Sequence, residues 1–314
     1  MAQEVSIGPD AHERGEADAS APNRRSLGVP IIASVTDAAQ IATTLGWVAL
    51  IAYALSAILY TTSLFRTHLA IGRAATAFAI VGAVSNFGTL YARSAALHTV
   101  PYRDLLGSMK LFGFFLAVLS IGLELRHRDR SLGPFLMPAA LAFLLLSVSL
   151  SSPVHKDAPE LKGPVFALHV TLNMLAYAAF AVACALSLLY LWVGRSLKKR
   201  AFSGPASRLP SLSYLERANR TSLSLGIVTL TVGLFLGLFW ASRMWKGEHP
   251  LWALDPTIWF ALATLGFYIF VLVRARRGAA PVSTARLSVA GFLLVLLSYT
   301  AVNVFVSKLH DFTS

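Results

Sequence analysis

Long apolar segments separated by short polar ones make up nearly all of the chain after its first 38 residues. Eight such segments occur, each near the roughly 20 residues that an α-helix needs to cross a hydrocarbon core of about 30 Å. The predicted spans are 41–65, 71–90, 105–124, 132–150, 164–193, 223–245, 256–273 and 287–307. The pattern predicts an all-α, polytopic membrane helix bundle of eight transmembrane helices over residues 39–314.

The first 38 residues have a different character. They are polar, rich in Ala, Glu, Asp, Arg and Pro, and contain no apolar core of the signal-peptide type. Such a composition buries too little apolar surface to offset the entropy of ordering the chain. Residues 1–38 are therefore predicted to form a disordered tail.

The overall composition agrees with a membrane setting. Hydrophobic residues make up 56% of the chain, charged residues 13%, and the mean hydropathy is +0.63, which excludes the usual exterior of a soluble domain. The net charge of +12 does not indicate nucleic-acid binding, because the basic residues lie in short loops and form no continuous patch. The lipid bilayer is thus the expected environment.

The basic residues instead predict the orientation of the bundle. The loops after predicted spans one, three, five and seven carry most of the lysines and arginines, and the other loops carry few. Positive charge in short loops favours the cytoplasm. Both termini and the loop at 240–259 are therefore predicted to face outward, although the arginines of the tail argue mildly the other way.

That outward loop holds four of the six tryptophans of the chain. Indole rings concentrate at membrane interfaces because the ring is apolar while its N–H needs a partner. One interpretation is therefore an interfacial aromatic belt. The other is a flat aromatic surface for a planar ligand.

Two histidines share the predicted side of this loop. His169 lies in the second turn of span five, and His310 lies just past the end of span eight. A neutral imidazole nitrogen is a common axial ligand of haem iron, although an interfacial histidine can also merely bond a carbonyl group. Asn173 and Tyr177 follow His169 at steps of four, so they lie on its helix face. Asn173 and Tyr177 either line a ligand site with His169 or form hydrogen bonds to neighbouring helices.

At this point the sequence resembles the cytochrome c assembly proteins of the CcsA, ResC and CcmC type. Their tryptophan-rich signature WGxxWxWDPKE is similar to residues 245–256. The segment FALHVTLNMLAYAAF at 166–180 resembles the family's first outward histidine segment, and AVNVFVSKLHDF at 301–312 resembles its closing one. The spacing from Arg93 to Pro101 is also similar to an outer turn of the family.

The chain departs from this family pattern in two places. Thr257 and Ile258 replace the signature Lys-Glu pair, and Leu254 replaces its second tryptophan. Val273 stands at the inner end of span seven, where CcsA-type proteins usually carry a further membrane histidine. These departures leave open the HemX-like branch, which has the same layout but is linked to the synthesis of haem precursors.

The resemblance implies a protein that holds or delivers non-covalent haem b on the outer face of the bacterial cytoplasmic (inner) membrane. His169 and His310 would be the axial ligands of the iron. Trp240, Trp245 and Trp252 would pack on the porphyrin, and Arg93 or Arg243 would pair with a propionate. Asp255 belongs to the signature, yet Asp followed by Pro is also a common helix start.

The resemblance further implies a component of a cytochrome c haem-attachment system rather than a stand-alone enzyme. Attachment of haem requires reduced cysteines, and Cys184 is the single cysteine of the chain. The expected partners are apocytochrome c and a CcsB- or ResB-like membrane protein. A permease is the remaining alternative, but no charged residue lies deep in a predicted span and no inverted repeat is present.

Overall fold

The computed structural model describes residues 29–65, 68–97, 105–149, 163–198, 210–244 and 256–301. These residues form eight α-helices, which confirms the all-α prediction. In chain order the helices are α1 (Val29–Ser63), α2 (Leu69–Leu97), α3 (Leu105–His127), α4 (Gly133–Ser149), α5 (Pro164–Lys198), α6 (Leu212–Met244), α7 (Pro256–Arg276) and α8 (Pro281–Ala301).

Several helices are longer than the apolar segments that predict them. Helix α1 begins at Val29, so residues 29–38 of the predicted tail are helical, and α6 begins at Leu212 rather than at the apolar residue Leu223. Helices α5, α7 and α8 each begin at a proline. Proline suits that position because the first N–H of a helix has no intrahelical partner and the ring presets a helical φ.

Six helices among the described residues are long and apolar enough to cross a membrane: α1, α2, α3, α5, α6 and α7. Helix α4 and the described apolar part of α8 are shorter apolar helices. Large apolar side chains such as Ile51, Val84 and Leu297 are exposed on the bundle surface. Such a surface belongs in hydrocarbon, so the protein is a multi-pass membrane protein.

The bundle is built from two groups of packed helices. Helix α1 packs against α2 and α4, and α3 packs against α4 and α2. Helix α5 packs along α6 and also contacts α3 and α8, while α7 packs against α8 and α6. Helix α5 thus joins the two groups, and Cys184 is buried in it.

Small residues allow the close approach of these helices. A side chain added at Gly82 would collide with Tyr53, one at Gly133 with Tyr60, and one at Gly226 with the ring of Phe180. The Phe180 ring in turn stacks on Tyr268, with ring centroids 3.8 Å apart. Aromatic rings therefore fill the spaces that glycines leave, which is the usual packing solution between membrane helices.

Candidate haem site

The candidate site is built around His169, in the second turn of α5. Its Nδ1 atom lies 2.6 Å from the backbone carbonyl oxygen of Gly233 on α6. A carbonyl oxygen can only accept a hydrogen bond, so this contact assigns the proton to Nδ1. The lone pair of the imidazole is then on Nε2, the atom that remains available to a ligand.

Two glycines of α6 make the recess in which the imidazole lies. A Cβ atom at Gly237 would overlap the His169 ring, and one at Gly233 would overlap the side-chain amide of Asn173. Their spacing of four places them on one face of α6. Only hydrogen atoms therefore separate the backbone of α6 from the two polar side chains of α5.

Asn173 completes the polar part of the recess. Its Nδ2 atom lies 3.2 Å from Nε2 of His169 and 3.3 Å from Nδ1. Because Nδ1 already donates to Gly233, the amide can donate to the lone pair of Nε2. The Oδ1 atom of Asn173 is buried without a hydrogen-bond partner among the described residues. A ligand on Nε2 would replace a weak hydrogen bond and leave the Gly233 contact intact.

Aromatic side chains cover the outer end of this recess. The ring of Phe166 lies 6.3 Å from that of His169 and 5.1 Å from that of Trp240, measured between centroids. Trp240 follows Gly237 by one turn of α6. The structure therefore brings His169 and Trp240 together through Phe166, a residue that the sequence does not single out as part of the site.

The two candidate arginines lie in different places. Arg243 is exposed one turn beyond Trp240, with its guanidinium 4.6 Å from the centroid of the Phe239 ring. Arg93 is partly buried on α2, which packs mainly against α1 and α3. Arg243 is thus at the aromatic end of α6, whereas Arg93 belongs to the other group of helices.

Four predicted site residues, His310, Trp245, Trp252 and Asp255, lie outside the described residues. Of the helices next to these residues in the chain, α6 ends on the side of His169, because the rings of Trp240 and Phe166 lie 5.1 Å apart.

A second polar cluster, which the sequence does not predict, lies at the opposite end. The carboxylate of Glu124 is buried, with 6% of the residue exposed. It accepts hydrogen bonds from the Tyr60 hydroxyl at 2.5 Å, the Thr76 hydroxyl at 2.7 Å and Nε of Arg130 at 2.9 Å. Glu124 therefore ties α1, α2 and the turn after α3 to the end of α3.

The geometry around His169 fits an axial ligand of haem iron. Histidines that bind metal usually donate their other ring N–H to a carbonyl or carboxylate, which fixes the tautomer and the ring orientation. His169 has that arrangement, with Nδ1 on Gly233 and aromatic rings beside it. Apolar and aromatic surroundings would also exclude water from a bound porphyrin.

Several known proteins are similar to this chain in sequence. Protein HemX of Brevibacillus brevis is 25% identical over 263 residues, 82% of this chain and 94% of that protein. Cytochrome c biogenesis protein CcsA of Trieres chinensis is 26% identical over 269 residues, 74% of this chain and 84% of the relative. CcsA of Chlamydomonas reinhardtii is 28% identical over 194 residues, 59% of this chain and 52% of the relative. Residues 102–310, about two thirds of the sequence, match the family described as cytochrome C assembly protein, and the chain belongs to that family.

Proposed function

We propose that this protein holds non-covalent haem b at the outer face of the membrane and makes it available for the assembly of c-type cytochromes. The observation that carries the proposal is the orientation of His169. Its Nδ1 donates to the carbonyl oxygen of Gly233, which leaves the lone pair on Nε2, and the ring of Phe166 pairs with both the imidazole and the ring of Trp240. This is the arrangement that a neutral axial histidine needs.

The other predicted residues have distinct roles in this proposal. His310, in the segment after α8, would supply the second nitrogen ligand of the iron. Trp240, Trp245 and Trp252 would pack on the porphyrin, and Arg243 would pair with a propionate. Asp255 comes directly before Pro256, the first residue of α7, and would serve as the N-cap of that helix. Arg93 is the weaker candidate for a propionate, because α2 packs away from α5 and α6.

Haem bound here would supply an iron centre with two nitrogen ligands, and the chain itself would hold and orient it. Thioether attachment also requires reduced cysteines on the acceptor, and the single Cys184 is buried within α5. We therefore place the redox chemistry on a CcsB- or ResB-like membrane partner and the cysteines on apocytochrome c. The corresponding location is the cytoplasmic (inner) membrane of a bacterium, with the haem site outward.

A second candidate function is regulation of haem-precursor synthesis, as the sequence resemblance to the HemX-like branch suggests. The observation that favours it is the alignment with protein HemX of Brevibacillus brevis, which extends over 94% of that protein. Val273 favours it too, since it occupies the position of the membrane histidine usual in CcsA-type proteins. Both functions would use the same outward haem site.

The test of the haem site is the haem content of the purified protein. Wild-type protein in mild detergent should show a Soret band and the pyridine haemochrome spectrum of haem b. We expect His169→Ala and His310→Ala each to lower haem content, because each removes one iron ligand. His68→Ala is the matched control, since His68 is exposed between α1 and α2. Unchanged haem content in both site variants would refute the bis-histidine site.

A further inference from the structure

A large apolar groove lies between the two groups of helices. Its volume is about 510 Å³, and it is partly open on one side. Helix α5 forms its floor, α3 and α4 form one wall, and α7 and α8 form the other. The volume falls within the range of roughly 300–1,000 Å³ that is usual for ligand sites.

The chemistry of the lining defines what can occupy the groove. Phenylalanine, leucine, alanine, valine and methionine side chains form most of it, and Ser108, Tyr177 and Thr264 are the polar residues. The described residues that line the groove include no charged side chain and no histidine or cysteine. Charged propionates would be poorly solvated here, and water has too few polar partners to fill the space. The lining fits a hydrocarbon chain.

The length of the groove agrees with such an occupant. Its floor extends along α5 from Met174 to Ala185, roughly 16 Å at the rise of an α-helix. One leaflet of a bilayer contributes about 15 Å of the hydrocarbon core. The floor of the groove is therefore about as long as one leaflet is thick. Its end at Met174 lies between one and two helical turns along α5 from His169.

We propose that this groove is a binding site for one acyl chain of a membrane phospholipid. Three of the helices that line the groove, α3, α5 and α7, are long and apolar enough to cross a membrane, so we expect its opening to meet lipid rather than water. An empty space of this size would forfeit the dispersion contacts of its lining. A resident chain restores those contacts and holds the α3–α4 wall apart from the α7–α8 wall.

Photolabelling of the full-length protein tests the proposal. The protein is reconstituted in dioleoyl phosphatidylcholine vesicles that contain a phosphatidylcholine with a diazirine on its acyl chain. After illumination, we expect the label to be enriched in the α5 segment at 174–185 relative to the lipid-facing α2 positions Ile80 and Val84. Equal labelling of the two surfaces would show only bulk lipid contact and would overturn the proposal.

Variants that fill the groove make the test specific. Ala181→Phe on the floor and Ala139→Phe on the α4 wall place a ring in the space of several methylene groups. Loss of buried contact for even two methylenes weakens binding about tenfold, so label in 174–185 should fall by about that factor. Ala77→Phe is the matched control, because Ala77 is exposed on α2 outside the groove.

Haem content separates this proposal from the proposed function. Both groove variants should retain wild-type haem and helical circular dichroism, because His169 lies outside the groove lining. Unchanged labelling in variants that retain helical structure would overturn the acyl-chain site. Loss of haem with unchanged labelling would also overturn it, because the groove would then serve the porphyrin.

Discussion

At the scale of single residues, the position of His169 depends on the absence of side chains at two positions of α6. Glycine within a helix costs about 1 kcal/mol relative to alanine, and α6 carries both Gly233 and Gly237 opposite the histidine. In return, the backbone of α6 comes close enough for its carbonyl to accept the Nδ1 proton at 2.6 Å. The two glycines therefore determine which imidazole nitrogen carries the proton and which keeps the lone pair.

Gly237→Ala is expected to lower haem content although it removes no ligand. The new Cβ would overlap the His169 ring, so the imidazole must move and its contact with Gly233 must lengthen. Loss of such an orienting hydrogen bond typically weakens metal binding by about 10- to 100-fold. Haem titration of the purified variant measures this affinity.

Gly194→Ala on α5 is the control for that substitution. A Cβ at Gly194 would meet nothing within 4 Å, so the change should leave haem affinity unchanged and raise helix stability by up to about 1 kcal/mol. If Gly237→Ala binds haem as tightly as Gly194→Ala, the glycine recess does not orient the ligand.

The sequence predicts the histidine but not its recess. His169 stands out because a histidine at the start of an apolar segment is uncommon, and Asn173 follows from the helical spacing of four. The match between Gly237 and His169 depends on how far α6 slides along α5, and no single-chain pattern encodes that register. The spacing of Gly233 and Gly237 was the available signal, since small residues four apart favour close helix contacts.

At the scale of the helices, the order of the elements follows from hydropathy while their ends do not. Apolar runs report the part of a helix that lies in hydrocarbon. Helix α6 begins at Leu212, before its predicted apolar span, and this first part contains Arg217 and Arg220. The helix can extend there because its backbone hydrogen bonds continue while water solvates the charged side chains. For the same reason α1 begins at Val29, well before its predicted span.

The Glu124 cluster shows a second limit of prediction from sequence. A carboxylate at the end of an apolar run usually indicates the membrane surface, yet Glu124 is turned inward by Tyr60 and Thr76 and is bonded to Arg130. The three donors come from α1, α2 and the α3–α4 turn, which are distant in sequence. Their convergence can be seen only once the helices are packed.

Glu124→Ala is expected to destabilise the bundle. It removes a buried carboxylate that accepts hydrogen bonds from two hydroxyl groups and one arginine, at a cost of about 2–3 kcal/mol. Thermal unfolding in detergent, followed by intrinsic fluorescence, should show a midpoint lower by about 5 °C or more. Glu124→Gln should fall between this variant and wild type, because its amide oxygen still accepts a hydrogen bond.

The partly exposed ion pair of Glu216 and Arg220 is the control for the Glu124 variants. These residues are four apart on α6, with 29% and 40% of their side chains exposed. Partly exposed pairs of this kind contribute about 0.5 kcal/mol or less, so Glu216→Ala should hardly move the midpoint. Equal shifts in Glu124→Ala and Glu216→Ala would mean that the buried cluster does not stabilise the packing of α1, α2 and α3.

At the scale of the whole molecule, function depends on which way the bundle faces. The basic loops predict that the end with His169 and the tryptophan loop is outward. In a Cys184→Ser background, a cysteine in place of Glu248 should react with an impermeant maleimide added to intact cells. A cysteine in place of Ser203 should react only after the cells are opened. The reverse pattern would place the proposed haem site in the cytoplasm.

The relatives suggest two roles, and the proposed haem site is compatible with both. As proposed outward iron ligands, His169 and His310 favour cytochrome c assembly, because that chemistry takes place outside the membrane. Thr257, Ile258 and Val273 favour the HemX-like role, because they replace residues of the CcsA-type pattern. We give the ligands more weight, since a partner protein can supply peripheral residues but the iron ligands must be positioned by the helices themselves.

Deletion of the gene in a host that makes c-type cytochromes should therefore abolish haem-stained c-type cytochromes. Haemoproteins that bind haem b should remain near normal, because their haem needs no covalent attachment, and the pools of haem precursors should not change. Complementation with His169→Ala should fail, whereas complementation with His68→Ala should restore the cytochromes. Persistence of c-type cytochromes together with a change in haem precursors would instead identify the regulatory role, and the same outward haem would then act as a signal of haem supply.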